Sequence, residues 1–333
     1  MRRRSKLIAA LAALLILALS LPVIHVRRFL DRPVAPPQRR VVEIAPGAPF
    51  TRVARSLAET GVVADAHLFR LLARWRDASQ RIKAGEYAFE DAATPEQILN
   101  RLLAGDVLRH PFTVPEGWTL REIASRLETE GRGSAETFLR LARAPKMRER
   151  LKIDGPSLEG YLFPETYQLT RDMDEAALIE AMVREFRRRL TPEILAGAKE
   201  QGLDRKELVI LASIVQKEAG HREEMPLIAS VFHNRLTAGM PLQADPTVIY
   251  GIENFAGNLT RRHLQTASPY NTYRLPGLPL GPIANPGEEA LRAVAFPAQS
   301  DYYYFVAKGD GTHIFAKTLA EHNANVRRYQ LKR

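Results

Sequence analysis

The stretch "LVILASIVQKEAG", residues 208–220, is where chemistry first suggests itself. Leu208, Leu211, Val215 and Glu218 recur at the spacing of a single helical stripe. Three of the four are apolar, and the fourth is a carboxylate in the last turn. Burial disfavours its charged form, and a helix C-terminus is the unfavourable end for an anion, so both effects raise its pKa. A carboxylic acid that keeps its proton near neutral pH can donate it to a departing oxygen. The same spacing also fits a rim glutamate whose tip reaches solvent beside Lys217.

Polar groups gather after this helix. "PLQADPTVIYG", residues 241–251, offers Gln243 and Asp245, although Asp245 also suits the N-cap of a short helix. "TASPYNTYRLPGLPLGPIANPG", residues 266–287, has the proline and glycine content of an ordered binding loop. Its Tyr270, Asn271 and Tyr273 carry flat faces and hydrogen-bonding tips suited to sugars. The alternative is that they bond to the loop's own backbone. Glycosidase chemistry usually needs a second carboxylate. Glu159, Glu165, Glu223, Glu224 and Asp245 are all available, and spacing singles out none of them. The chain has no HExxH, P-loop, dinucleotide fingerprint or G-x-S-x-G elbow. His221 and His233 read as surface or helix-packing residues rather than metal ligands, and neither a metal nor a cofactor is implied.

The elements that must position these groups are marked by their ends. Thr191-Pro192 reads as an N-cap followed by proline at N1. Asp204 with Glu207, and Thr318 with Glu321, read as capping boxes. Gly220 is expected to close the Glu218 helix as its C′ residue. The next helix enters through Pro226 and closes at Gly239. "YYYFVAKGDGTHIFA" predicts a hairpin turning at Lys308 to Gly311.

Upstream, "VEIAPGAPFTRVARSLAETG" (42–61) aligns without a gap, at an offset of 70, with "TVPEGWTLREIASRLETEG" (113–131). Val53, Ala54, Leu57 and Gly61 match Ile123, Ala124, Leu127 and Gly131. Each copy predicts a short strand, a glycine turn and an amphipathic helix. The arrangement resembles LysM modules, small βααβ units that grip glycans containing N-acetylglucosamine.

Residues 1–40 hold nine Lys/Arg and one acid, whereas the other 293 residues hold 39 bases against 37 acids. The folded part is nearly neutral, so no nucleic-acid footprint is demanded. The absence of cysteine excludes disulfides, thiolate metal sites and a cysteine nucleophile. "MRRRSKLIAALAALLILALSLPVIHV" sets a basic head before an apolar run, which predicts a transmembrane anchor over 7–26. A cleaved signal peptide is the competing reading. "RPVAPPQRR" then reads as a stiff spacer.

Motifs along most of residues 40–330 resemble the MltG (YceG-like) family of membrane-anchored endolytic murein transglycosylases. They are "LEGYLFPETY" (158–167), "LASIVQKEAG" (211–220), "ASVFHNRL" (229–236), "PLQADPTVIYG", "SPYNTY" (268–273), "GLPLGPIANPG" (277–287), "YYYFVAKGDGTHIF" (302–315) and the Thr318–Asn323 stretch. The chain departs from the family pattern at Gln216, where many members have glutamate, and at Leu280, where proline is common. The resemblance implies cleavage inside peptidoglycan strands at the MurNAc-β-1,4-GlcNAc bond, leaving 1,6-anhydro-MurNAc ends. It maps the catalytic glutamate to Glu218, acting as acid and then as base. Gln243, Asp245, Tyr270, Asn271 and Tyr273 would bind substrate.

The expected fold class is α+β. It comprises a cytoplasmic head (1–6), a transmembrane helix (7–26) and a linker (27–40), followed by a LysM-like module (41–110) and a second related module with a connector (111–171). A mixed helical and β catalytic domain (172–333) completes it. The expected location is the inner membrane, single-pass, with the catalytic domain on the periplasmic side. The expected partners are peptidoglycan strands, the membrane and penicillin-binding synthases, with no nucleic acid. The rival readings are a muramidase that uses water and a non-catalytic glycan-binding scaffold.

Overall fold

A computed structural model of the 333-residue chain describes residues 20–331. The chain divides into two compact units, one formed by Met1–His110 with Gln168–Asp172 and the other by Pro111–Tyr167 with Met173–Arg333.

In the first unit, strand Arg40–Ile44 pairs antiparallel with Gly85–Phe89, Val42 facing Tyr87. Helices Phe50–Glu59 and Ala66–Trp75 lie between these strands in sequence, giving the order βααβ, and helix Pro95–Ala104 follows. Alternation along the strands turns Val42, Ile44, Tyr87 and Phe89 inward, where they meet Val53, Leu57, Phe69 and Leu102. Phe50 stacks on Phe69 at 5.6 Å. Asp65 caps the second helix, and Thr94 with Gln97 forms a capping box on the third.

The second unit begins with the other copy of the repeat. The residues buried by helix Leu120–Thr129 are Leu120, Ile123, Ala124 and Leu127. They are the positions, shifted by 70, of Phe50, Val53, Ala54 and Leu57. Gly47 and Gly117, which make the turn before each helix, have φ of +71° and +78°. That left-handed backbone costs a glycine nothing.

Helix Arg205–Glu218 is the centre of the second unit. Leu208 through Val215 are buried without interruption, so the helix is enclosed on every side rather than along one stripe. Helices Pro192–Glu200, Met225–Thr237 and Glu288–Ala295 surround it. Asp204 and Glu207 form the capping box at its start, and Thr318 with Glu321 does the same for helix Leu319–Tyr329. Strands Tyr304–Ala307 and His313–Ala316 form a hairpin, with Phe305 opposite Phe315.

The expected N-terminal transmembrane helix is corrected. Among the described residues no helix is long and apolar enough to cross a membrane. Residues 7–19 of the expected span lie outside the described residues. The described remainder, residues 20–31, is helical and contains Arg27, Arg28 and Asp31. Phe29 of this helix packs into the core of the first unit. The expected membrane partner and single-pass inner-membrane location rested on that anchor and are corrected with it.

Candidate active site

Glu218 closes the buried helix and opens onto a cleft of about 400 Å³ in the second unit. Arg235, Gln243, Asp245, Tyr273, Tyr304, His313 and His322 are among the other residues lining it. The residue keeps part of its surface open through the cleft, while protein atoms crowd its carboxyl. Burial pushes its pKa up to about 8, the nearby charge of Asp245 adds to the rise, and Arg235 opposes it. Among the described residues the carboxyl has no hydrogen-bond partner. A protonated acid with a free O–H, facing a cleft, is equipped to give that proton to a bound molecule.

The helix ends differently from the sequence expectation. Its C-cap, Ala219, is extended, and Gly220 does not adopt a left-handed conformation. Glycine is required at 220 for another reason, since a Cβ there would collide with the carbonyl of Gly311 in the hairpin turn. Gly311 has φ +86°, and a Cβ on it would stand 2.8 Å from His221 Nε2. Main chain therefore rests directly on main chain where the acid-bearing helix meets the hairpin.

Asp245 is the first residue of helix Asp245–Tyr250 and makes no cap bond. Its Oδ1 accepts from the Tyr273 hydroxyl at 2.6 Å. Burial, with Asp245 as acceptor, holds that phenol protonated. The loops carrying the pair are tied together underneath. The Ala244 N–H donates to Thr272 Oγ1 at 3.0 Å, and the Thr247 and Thr272 hydroxyls lie 2.8 Å apart, fully buried. Gln243 lines the cleft with φ +52°, a strained backbone for a residue with a side chain.

The loop at 268–273 divides its residues. Only Tyr273 lines the cleft. Asn271 is 1% exposed and donates to the carbonyls of Leu264 and Thr266 at 3.0 and 2.7 Å, so it braces the loop. Tyr270 packs edge-on against Tyr250 with ring centres 4.9 Å apart.

Of the five possible second carboxylates, Asp245 alone lines the cleft. Glu165 pairs with Arg189 at 2.9 Å, and Glu223 is exposed. Glu224 bonds His313, as described below. Glu159 is 3% exposed and accepts from the Leu120 N–H at 3.0 Å, the Tyr250 hydroxyl at 3.0 Å and the Asn285 amide at 3.2 Å. Gln216 accepts from the Gly287 N–H at 2.9 Å, so its side chain is spent on holding a loop. His233 packs between helices, 2.9 Å from the Val294 carbonyl. Among the described residues no group of three or more His, Asp or Glu could hold a metal ion.

Arg235, His313, Tyr304 and His322 line the cleft without having been nominated as site residues. Arg235 carried a legible signal. It continues the apolar stripe of Ile228 and Val231, and a charge on such a stripe is the same anomaly as Glu218. Its Nε donates to the Tyr303 carbonyl and its guanidinium NH1 to the Leu242 carbonyl, both at 2.7 Å. One buried cation thus ties the hairpin to the loop before Asp245.

The model of the YceG-like family matches residues 42–328. A Bacillus subtilis protein named endolytic murein transglycosylase is 31% identical over 304 residues, which cover 86% of this chain and 84% of that relative. A Streptococcus pneumoniae protein of the same name is 30% identical over 317 residues. There the match covers 86% of this chain and 57% of the relative, just over half its length. A crystal structure of a yceG-like protein from Listeria monocytogenes superposes with a TM-score of 0.60 at 31% identity. It covers 86% of this chain and 99% of that one.

Proposed function

The chain belongs to the YceG-like family, and from that premise we propose that Glu218 cuts the MurNAc-β-1,4-GlcNAc bond of peptidoglycan strands to leave 1,6-anhydro-MurNAc ends. The enzyme is a lytic transglycosylase, in line with the endolytic murein transglycosylase activity that its relatives are named for.

The observation that carries the mechanism is the Glu218 carboxyl, which burial keeps protonated near neutral pH and which, among the described residues, has no hydrogen-bond partner in its cleft. Glu218 gives its proton to the glycosidic oxygen as the bond to C1 breaks. Its carboxylate then takes the proton of the MurNAc C6 hydroxyl as that oxygen closes on C1. The nucleophile belongs to the substrate, so no group need activate water, and proximity lowers the barrier. Asp245, fixed by Tyr273, is the nearby negative charge that favours an oxocarbenium-like state. Gln243 reaches the sugars from the same wall. The βααβ order of the first unit supports its role as a LysM-like module that holds the strand.

The presence of Asp245 in the cleft favours one other reading, a muramidase in which this carboxylate activates water. Mass spectrometry of products from uncrosslinked glycan strands incubated with the full chain separates the two. The expected ends are anhydro-MurNAc, lighter by one water than reducing ends. Reducing ends would overturn the assignment.

The contact of Gly220 with Gly311 leads to a further expectation. Gly220→Ala must push the hairpin away from the end of the Glu218 helix. A displacement of about 1 Å at a reacting centre costs about 100-fold. We expect a loss of that order in kcat/KM on glycan strands, with the helical circular dichroism signal preserved.

A further inference from the structure

The hairpin wall of the cleft holds a group that the mechanism above leaves unused. His313 Nδ1 lies 2.8 Å from Glu224 Oε2, and the backbone N–H of His313 donates to Glu224 Oε1 at 3.0 Å. An ionised carboxylate only accepts, so the imidazole must carry its hydrogen on Nδ1. Burial alone would raise the pKa of Glu224, but the hydrogen bonds from the His313 backbone and ring, together with nearby positive charge that includes Lys308, hold it below the usual carboxylate range. In the neutral ring Nε2 is then left as an acceptor. Among the described residues Nε2 has no hydrogen-bond partner, and His313 lines the cleft. The ring is held edge-on to Phe305, with centres 5.4 Å apart. Its orientation is therefore fixed from behind by Glu224 and from the side by an aromatic ring. The contact of Gly220 with Gly311 sets this hairpin against the helix that carries Glu218.

A glycan strand presents donors along its length, namely sugar hydroxyls and acetamido N–H groups. A preset acceptor loses little freedom on meeting one of them. We propose that His313 contacts the substrate, accepting through Nε2 a hydrogen bond from a hydroxyl or acetamido N–H of the strand, and that Glu224 is a positioning residue acting through it. This rests on the glycan-strand reading above but is independent of how the bond is broken.

Two substitutions separate contact from scaffolding. His313→Asn keeps a donor where Nδ1 stands, and hence the bond to Glu224, but removes the group facing the cleft. His313→Gln reaches where Nε2 stands. The probe is labelled, uncrosslinked glycan strand, bound by the full chain carrying Glu218→Gln so that it is not cut. The loss of one such hydrogen bond corresponds to about tenfold in affinity.

His313→Asn is expected to lose about that much with its melting temperature unchanged, while His313→Gln stays within about threefold of the parent. In the otherwise unaltered enzyme the loss should fall mainly on KM. Adding Glu224→Gln to His313→Asn should cost no further affinity. Parent-like binding by His313→Asn, or weaker binding by His313→Gln than by His313→Asn, would overturn the proposal. Reducing product ends together with the expected binding order would remove the transglycosylase mechanism and leave His313 in place. Absence of strand binding by the parent would remove both.

Discussion

Glu218→Gln is expected to abolish strand cleavage, by about 1000-fold or more, and to leave a chain that folds at least as well as the parent. The magnitude follows from removing the group that transfers the proton. An amide of the same shape can fill the same space but cannot donate to the glycosidic oxygen and take a proton back. Product formation measured over a pH series adds a second test. The acid must carry its proton, so parent activity should fall as pH rises past about 8.

The stability side has a definite sign. In the unfolded chain the carboxyl ionises near its ordinary value of 4.5, whereas in the folded protein it does so at about 8. Between these values the folded state holds more protons than the unfolded state, so stability declines with rising pH across that window. The glutamine variant lacks this decline. Its urea midpoint should match the parent near pH 4.5 and exceed it increasingly up to pH 8. A variant that still cuts, or one that fails to fold, would contradict the assignment of Glu218.

Glu159→Ala is expected to bring the largest loss of stability without touching the cleft, about 4 kcal/mol at pH 7 by urea unfolding. Its carboxyl receives the Leu120 N–H at the start of helix Leu120–Thr129, the Tyr250 hydroxyl and the Asn285 amide. Truncation leaves those donors unpaired in the interior, each costing about 1–3 kcal/mol, and opens a cavity beside them. The same Asn285 accepts from the Gly160 and Leu162 N–H groups and donates to the Trp118 carbonyl at 2.8 Å. The damage therefore reaches three separated segments. Burial pushes the Glu159 pKa to about 8 despite the hydrogen bonds it receives, so its contribution to stability also declines as pH rises from 4.5. Glu159→Gln, which keeps the volume and one acceptor, should lose about half as much. An alanine variant as stable as the parent would show that the network does not hold these segments.

Features written in adjacent residues were legible in the sequence. The capping boxes at Asp204 and Thr318 and the paired glycines of the repeat depend on neighbours three or four positions away. Glu218 was legible because a charge on an apolar stripe is anomalous wherever the helix lies. Asn271 and Tyr273 stand two residues apart with similar polarity, yet one braces the loop and the other meets the cleft. That division is set by the fold of the loop around the Leu264 and Thr266 carbonyls, which no local pattern encodes. The bond from Glu224 to His313 spans 89 positions, and the Glu159 network reaches across 126. Such contacts exist only once the chain has folded. Gly220 looked like a helix terminator, and its real constraint comes from a second glycine 91 residues away.

The meeting of Gly220 and Gly311 separates two properties that enzymes often entangle. No rotamer intervenes at that joint, so the gauge between the acid and the opposite wall is fixed by the thickness of the polypeptide itself. Side chains along the wall can be exchanged to change what is gripped while the jaws keep their spacing. Redesign for a differently decorated polymer should begin at those interchangeable surfaces and leave the joint alone.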